Sequence, residues 1–141
     1  MLSKTAEYAL RAVVHLANCQ SGSVSAEAIS ERTGTPRRYL HQVLQSLVAE
    51  GLVRSRSGPG GGYELARAPS KITILDVVQA VDPIERITAC PLALKSHRQL
   101  CPLHRELDQA YATIEKALRR VTISKLVISN EPGTALCRTD G

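Results

Sequence analysis

The chain has 141 residues, 43% of them hydrophobic but with no Phe or Trp, and a formal net charge of +5 with a pI near 9.3. That is the length of one ordinary domain, and a core limited to Leu, Val, Ile and Ala with a few tyrosines favours helices over extensive sheet. No apolar run reaches the length of a bilayer-crossing helix and the start lacks a basic head followed by an apolar run, which excludes a membrane span and makes the cytoplasm the expected location.

The positive charge favours an anionic partner, for which nucleic acid and a membrane surface both qualify. In a reducing compartment the four cysteines read as thiols, metal ligands or redox sensors rather than as a disulfide framework.

Residues 4–19 place Tyr8, Ala9, Ala12, Val13, Leu16 and Ala17 at helical spacing, and Glu7 and Arg11 stand one turn apart, where they can pair. Ser25 is the expected N-cap of a second helix, with Glu27 at its positive end and Gly34 as its stop. Thr35 is expected to cap a third helix and Pro36 to open it. Leu40, Val43, Leu44, Leu47 and Val48 then give it an apolar stripe up to Gly51. Two short helices joined by a glycine-containing turn form a helix-turn-helix pattern.

Leu52 to Ser57 reads as a strand, Gly58-Pro59-Gly60-Gly61-Gly62 as a turn, and Tyr63 to Leu65 as the returning strand. A hairpin in that place is a wing. Thr73 and Asp76 form a capping-box start for a helix over Ile74 to Val81 that ends before Pro83. Pro102 is placed to open a long helix whose seam is Leu103, Leu107, Ala110, Tyr111, Ile114, Leu118 and Val121. A second copy of that helix is the economical partner. A short helix over Thr122 to Ile128 and a loose polar tail end the chain.

The expected fold is therefore mainly α, a winged helix-turn-helix domain with a two-stranded wing and a long C-terminal dimerisation helix. It divides into a DNA-binding domain (1–82), a cysteine and histidine sensor loop (83–104), the dimerisation helix with its closing helix (102–128) and a disordered tail (129–141).

Within residues 35–56 stand four arginines and one acid. Arg37, Arg38 and Tyr39 lie at the N-terminal end of the second helix of the pair, the end that enters a major groove. Gln42 and His41 follow one turn on. Arg54 and Arg56 alternate with Ser55 and Ser57, so the two arginines share one face of the wing, whose bare tip includes Gly58 and Pro59. These residues predict binding to double-stranded DNA, with no membrane partner. No nucleophile–base–acid set or dinucleotide fingerprint is present, and GPGGG lies in a hairpin rather than between strand and helix, so no enzyme is expected.

The stretch from Cys90 to His104 gathers Cys90, His97, Cys101 and His104, thiolates and imidazoles that suit zinc or iron–sulfur iron. Cys19 reads as a small buried residue of the first helix and Cys137 as an idle thiol of the tail.

The segments SKTAEYALRAVVHLA, ISERTGTPRRYLHQVLQSLVAEGLVRSRSGPGGGYELAR, ILDVVQAVD and CPLH, in that order over residues 1 to about 128, resemble the Rrf2 family of bacterial winged-helix regulators. The family includes iron–sulfur and nitric-oxide sensors. The resemblance implies a homodimer gripping a roughly palindromic operator with its recognition helices and wings, the long helices crossing at the interface. Cluster-binding relatives carry three cysteines before the dimer helix. This chain matches the first at Cys90 and the last at Cys101, with His104 three residues beyond, and has Lys95-Ser96-His97 where the middle one falls. Glu7 stands where some relatives have an acidic ligand; pairing with Arg11 is its other reading. Ser57 stands where many relatives have Arg, with Arg56 one place earlier, a shift that turns the side chain to the other face.

Three chemistries remain open for the sensor stretch. A two-iron two-sulfur cluster would be held by Cys90, Cys101 and His104, with Glu7 or His97 completing the set. Zinc would take Cys90, His97, Cys101 and His104. With no metal, Cys90 and Cys101 would form a reversible disulfide. The function expected is a homodimeric transcriptional regulator whose operator affinity follows the cluster or redox state. The alternatives are a zinc- or dithiol-containing regulator of the same fold, or a cluster-carrying protein-interaction module that does not bind DNA.

Overall fold

In the computed structural model, which describes residues 2–19, 22–89 and 99–128, the Ser3 hydroxyl accepts the Ala6 amide at 3.1 Å and starts α1 (Lys4–Asn18). The helix buries Ala6, Ala9, Ala12, Val13, Val14 and Leu16. Its alanines leave room for neighbours on several sides, and α1 packs against α2, α3, α4, α6 and β2. It is the axle of the domain. None of the helices among the described residues is long and apolar enough to cross a membrane.

The second helix, α2 (Ala26–Thr33), is capped by Ser25 as its sequence predicts. The third, α3 (Arg37–Ala49), turns Leu40, Val43, Leu44 and Leu47 inward. Thr35 does not cap it. The cap position falls to Pro36, whose carbonyl accepts the Tyr39 and Leu40 amides at 3.0 Å each. The Thr35 hydroxyl is buried and accepts from Thr33 Oγ1 at 2.9 Å, while Ser30 donates to the Thr35 carbonyl at 2.7 Å. Buried hydroxyls must find partners, and here they find each other. The cost is a missing side-chain cap; the gain is a turn between α2 and α3 fixed by three hydroxyl side chains.

The wing is β1 (Val53–Arg56) paired antiparallel with β2 (Gly62–Leu65), in the register Val53–Leu65, Arg54–Glu64, Ser55–Tyr63 and Arg56–Gly62. Val24 and Tyr63 exchange both backbone hydrogen bonds at 2.8 Å, so the residue before the cap of α2 adds a one-residue edge to the hairpin. That contact requires the glycine at 62, where a Cβ would lie 2.3 Å from the Val24 carbonyl oxygen. At Gly61 a Cβ would lie 2.4 Å from the Arg56 carbonyl oxygen. The wing is thereby sewn to the helix-turn-helix at its base.

A short 3-10 turn (Pro69–Lys71) leads to α4 (Ile74–Val81), which opens on the full capping box of Thr73 and Asp76. The last described helices are α5 (Pro102–Arg119) and α6 (Ile123–Ile128). The Ile123 amide donates to the Ile72 carbonyl at 2.8 Å and the Ile74 amide to the Val121 carbonyl at 2.9 Å. Ile123 is fully buried in the core formed by α1, α2 and α3. After α5 the chain therefore returns to the body of the winged helix.

α5 itself buries no residue in one chain. Its Tyr111, Ile114 and Leu118 line an open groove of about 760 Å³ with Leu2, Val78 and residues 82–87. Leu103, Leu107 and Tyr111 are exposed. The expected tail lies outside the described residues.

Candidate nucleic-acid interface and thiol–imidazole pair

The sequence places two arginines in the first turn of α3 and no acid to oppose them. Arg37, Arg38, Tyr39, His41 and Gln42 are all exposed there. Arg38 lies over the Tyr39 ring at 4.6 Å and donates to its hydroxyl at 2.6 Å. The Tyr39 ring stands 5.9 Å from that of Tyr8, and Arg11, over Tyr8 at 6.0 Å, donates to the Thr33 carbonyl at 3.2 Å. Cation–π and ring contacts of this kind hold side chains in place at modest cost in entropy. Tyr39 is braced from α1; Arg37 has no ion-pair partner among the described residues.

On the wing, Arg54 and Arg56 do share one face, and the feature that linear charge counting missed is opposite them. Glu64 Oε1 accepts from Arg54 Nε at 2.7 Å and from Arg56 Nε at 2.8 Å. Hydrogen bonding from Arg54 first, then the bond and charge of Arg56, hold the Glu64 carboxyl below its usual range. The signal was present in the hairpin register, since Arg54 and Glu64 are direct cross-strand partners. Ser57, Gly58 and Pro59 are exposed at the tip.

Of the sensor residues, Cys90 and His97 lie outside the described residues, as does Cys137. Cys101 occupies the N-cap position of α5 and His104 its first turn, and Cys101 Sγ is 3.0 Å from His104 Nδ1. Both are half-buried. Two ligands of one tetrahedral zinc, bonded at about 2.3 and 2.0 Å, are about 3.5 Å apart, so this donor pair fits one soft or borderline metal ion with little rearrangement. Glu7 is instead ion-paired with Arg11. No three Cys, His, Asp or Glu side chains converge in ligand geometry among the described residues, so one chain does not bring Glu7 to Cys101 and His104.

One turn beyond His104, Asp108 ties down the strand of chain that leads to Cys90. Its carboxylate accepts from Arg86 Nε and Nη2 at 2.7 Å each and from the Ile87 amide at 2.9 Å. The Arg86 hydrogen bonds chiefly, then the Ile87 amide and the Arg86 charge, hold the Asp108 carboxyl below its usual range. This clamp was not foreseen, because its partners are 22 residues apart.

Cys19 is half-buried at the end of α1, 3.8 Å from His15 Nε2. Burial pushes its thiol up against a smaller opposing pull from Arg32, and burial, then Arg32, pushes His15 down. Both changes favour neutral, inert groups.

The family model described as "Rrf2: Iron-dependent Transcriptional regulator" matches residues 2–129. A protein of Neisseria meningitidis serogroup A that bears the name of an HTH-type transcriptional regulator is 33% identical over 134 residues, spanning 94% of this chain and 90% of its own. One of Aquifex aeolicus with the same kind of name is 30% identical over 131 residues, 90% of this chain and 91% of its own. Among solved structures, CymR, the global cysteine regulator of B. subtilis, superposes with a TM-score of 0.76 at 25% identity over 93% of this chain and 98% of its own. IscR of T. potens does so with a TM-score of 0.77 at 25% identity over 100% of this chain and 93% of its own. These neighbours are winged-helix regulators and not enzymes, in accord with the exposed arginines of α3 and the wing, and the chain belongs to the Rrf2 family of DNA-binding transcriptional regulators.

Proposed function

We propose that the chain acts in the cytoplasm as a homodimer on a roughly palindromic operator, with an affinity set by a two-iron two-sulfur cluster or by thiol redox state at the Cys90–His104 stretch. Arg37, Arg38, Tyr39 and Gln42 would enter the major groove. Arg54, Arg56 and the tip residues Ser57, Gly58 and Pro59 would lie along the phosphate chain. Cys90, Cys101 and His104 would hold the cluster, with His97 or Glu7 of the partner subunit completing the set. When bound, the cluster would supply a redox-active, oxidant-labile tie between those ligands.

The observation that carries this reading is the Cys101–His104 pair at 3.0 Å on the opening turn of α5, the helix with the unburied apolar stripe. The Asp108 clamp stands one turn further on and grips the chain leading to Cys90. A change at the ligands is thus felt by the element proposed to set the spacing of the two recognition helices. A coupling of about 1–3 kcal/mol corresponds to roughly 5- to 150-fold in operator affinity.

Two cysteines rather than three in the Cys90–His104 stretch also favour a second reading, a Cys-Cys-His-His zinc site or a Cys90–Cys101 dithiol on the same scaffold. Anaerobic purification with assays for iron, acid-labile sulfide and zinc and a visible spectrum separates them. Iron and sulfide in comparable amounts are expected in the wild type and absent from Cys90→Ala/Cys101→Ala, and duplex affinity should respond to oxidant only in the wild type. Zinc without sulfide moves the assignment to the second reading. Colourless, metal-free protein with oxidant-indifferent affinity defeats both.

A further inference from the structure

Two arginines on the same face of a short strand repel each other and attract any duplex. In this wing both direct their Nε toward one carboxylate oxygen, Oε1 of Glu64, at 2.7 and 2.8 Å. Arg54 and Arg56 make no other ion pair among the described residues, which leaves their terminal nitrogens for an outside acceptor. A cross-strand partner for Arg54 alone would be an ordinary pair. A single oxygen serving both guanidinium groups does more: it fixes their orientation and compensates half of the charge that the wing offers to phosphates.

We propose that Glu64 is a positioning and specificity-determining residue of the wing, an internal counter-ion that aligns Arg54 and Arg56 and restrains their attraction to DNA of arbitrary sequence. The inference rests on the DNA-binding reading of this surface. Non-specific affinity comes from phosphate neutralisation with release of condensed counterions, and each phosphate neutralised steepens the slope of log K against log salt by about 0.9. With Glu64 in place, part of the charge of the arginine pair is already spent inside the protein. Sequence-dependent contacts elsewhere then account for a larger share of the total, which is what discrimination between sites requires.

The test uses the full-length protein and a fluorescent duplex of arbitrary sequence, titrated over a series of salt concentrations. Glu64→Gln keeps the shape of the side chain and removes its charge. Its salt slope should steepen by about 0.9 per wing engaged, with affinity for the duplex rising roughly 3- to 10-fold at the low-salt end. Adding Arg56→Gln to Glu64→Gln should return the slope toward that of the wild type.

A measurement that leaves Glu64 untouched guards against a folding defect in the variant. Arg54→Gln should flatten the slope by about 0.9, as should Arg37→Gln. Adding Arg56→Gln to Arg54→Gln should flatten the slope little further, because the arginine that remains is already matched by Glu64. An unchanged slope in Glu64→Gln overturns the role of Glu64, as does a second flattening of about 0.9 when Arg56→Gln is added to Arg54→Gln. A wild type whose duplex binding does not depend on salt overturns the DNA-binding reading itself, a different result from a salt-dependent wild type with an indifferent Glu64→Gln.

Discussion

The Val24 carbonyl oxygen stands 2.3 Å from where a Cβ on Gly62 would lie, and Gly62 has a φ of +148°. Substitution must therefore both strain the backbone and push β2 away from the residue that leads into α2. Gly62→Ala is expected to cost about 1–3 kcal/mol in stability and to weaken duplex binding, because the wing loses its seam with the helix-turn-helix. Urea melts and a duplex titration check it. A variant as stable as the wild type would mean that the Val24–Tyr63 bridge is dispensable. The GPGGGY run announces a turn in the sequence, but nothing in a string of glycines says which one faces a carbonyl. Glu64 was hidden for a related reason. It stands eight residues from Arg56 along the chain and a hydrogen bond away across the wing.

Elements with a period were legible; elements joined at a distance were not. The stripe Leu40, Val43, Leu44 and Leu47, the Thr73–Asp76 capping box and the proline opening α5 all stand in the structure where their spacing predicts them. The cap of α3 did not, because Thr35 had a competing use for its hydroxyl in the buried turn. The Arg86–Asp108 clamp joins the segment after α4 to α5 and makes a prediction at this scale. The folded-state pKa of Asp108 is depressed below the ordinary 3.8, so its contribution is fully present above that value and is lost as pH falls through the depressed one. Asp108→Asn should therefore lower the melting temperature by a constant amount from neutrality down to about the ordinary value. The gap should then close on further acidification. Melting curves of both proteins across pH provide the check; a gap that closes near neutrality would assign the effect to another group.

For the molecule as a whole, the question is what covers α5. Ile114 and Leu118 line the groove beside Val78, Tyr111 stands at the groove and is still 36% exposed, and Leu103 and Leu107, at the same spacing of four, remain 64% and 40% exposed. The sequence shows the apolar seam but not how it divides between the groove and the outside, since a helix of this width is apolar over more than one neighbour's arc. Fully burying an exposed side chain of this size is worth about 1.5–3 kcal/mol, of which these three, already partly covered, can still contribute about half, and a two-fold arrangement of two such helices counts them all twice. That is of the same order as the estimated 4–15 kcal/mol cost of association, so the stripe suffices for a dimer only if it packs as a unit. A single charge within it should then be decisive. Leu107→Glu is expected to convert the proposed dimer to a monomer in sedimentation velocity and to weaken operator binding by at least tenfold, about 1.4 kcal/mol or more. Its helical circular dichroism should be retained, because the core of α1, α2, α3 and α6 takes no buried residue from α5. A Leu107→Glu protein that still sediments as a dimer would place the interface on another face, and the exposed stripe would then need a different occupant.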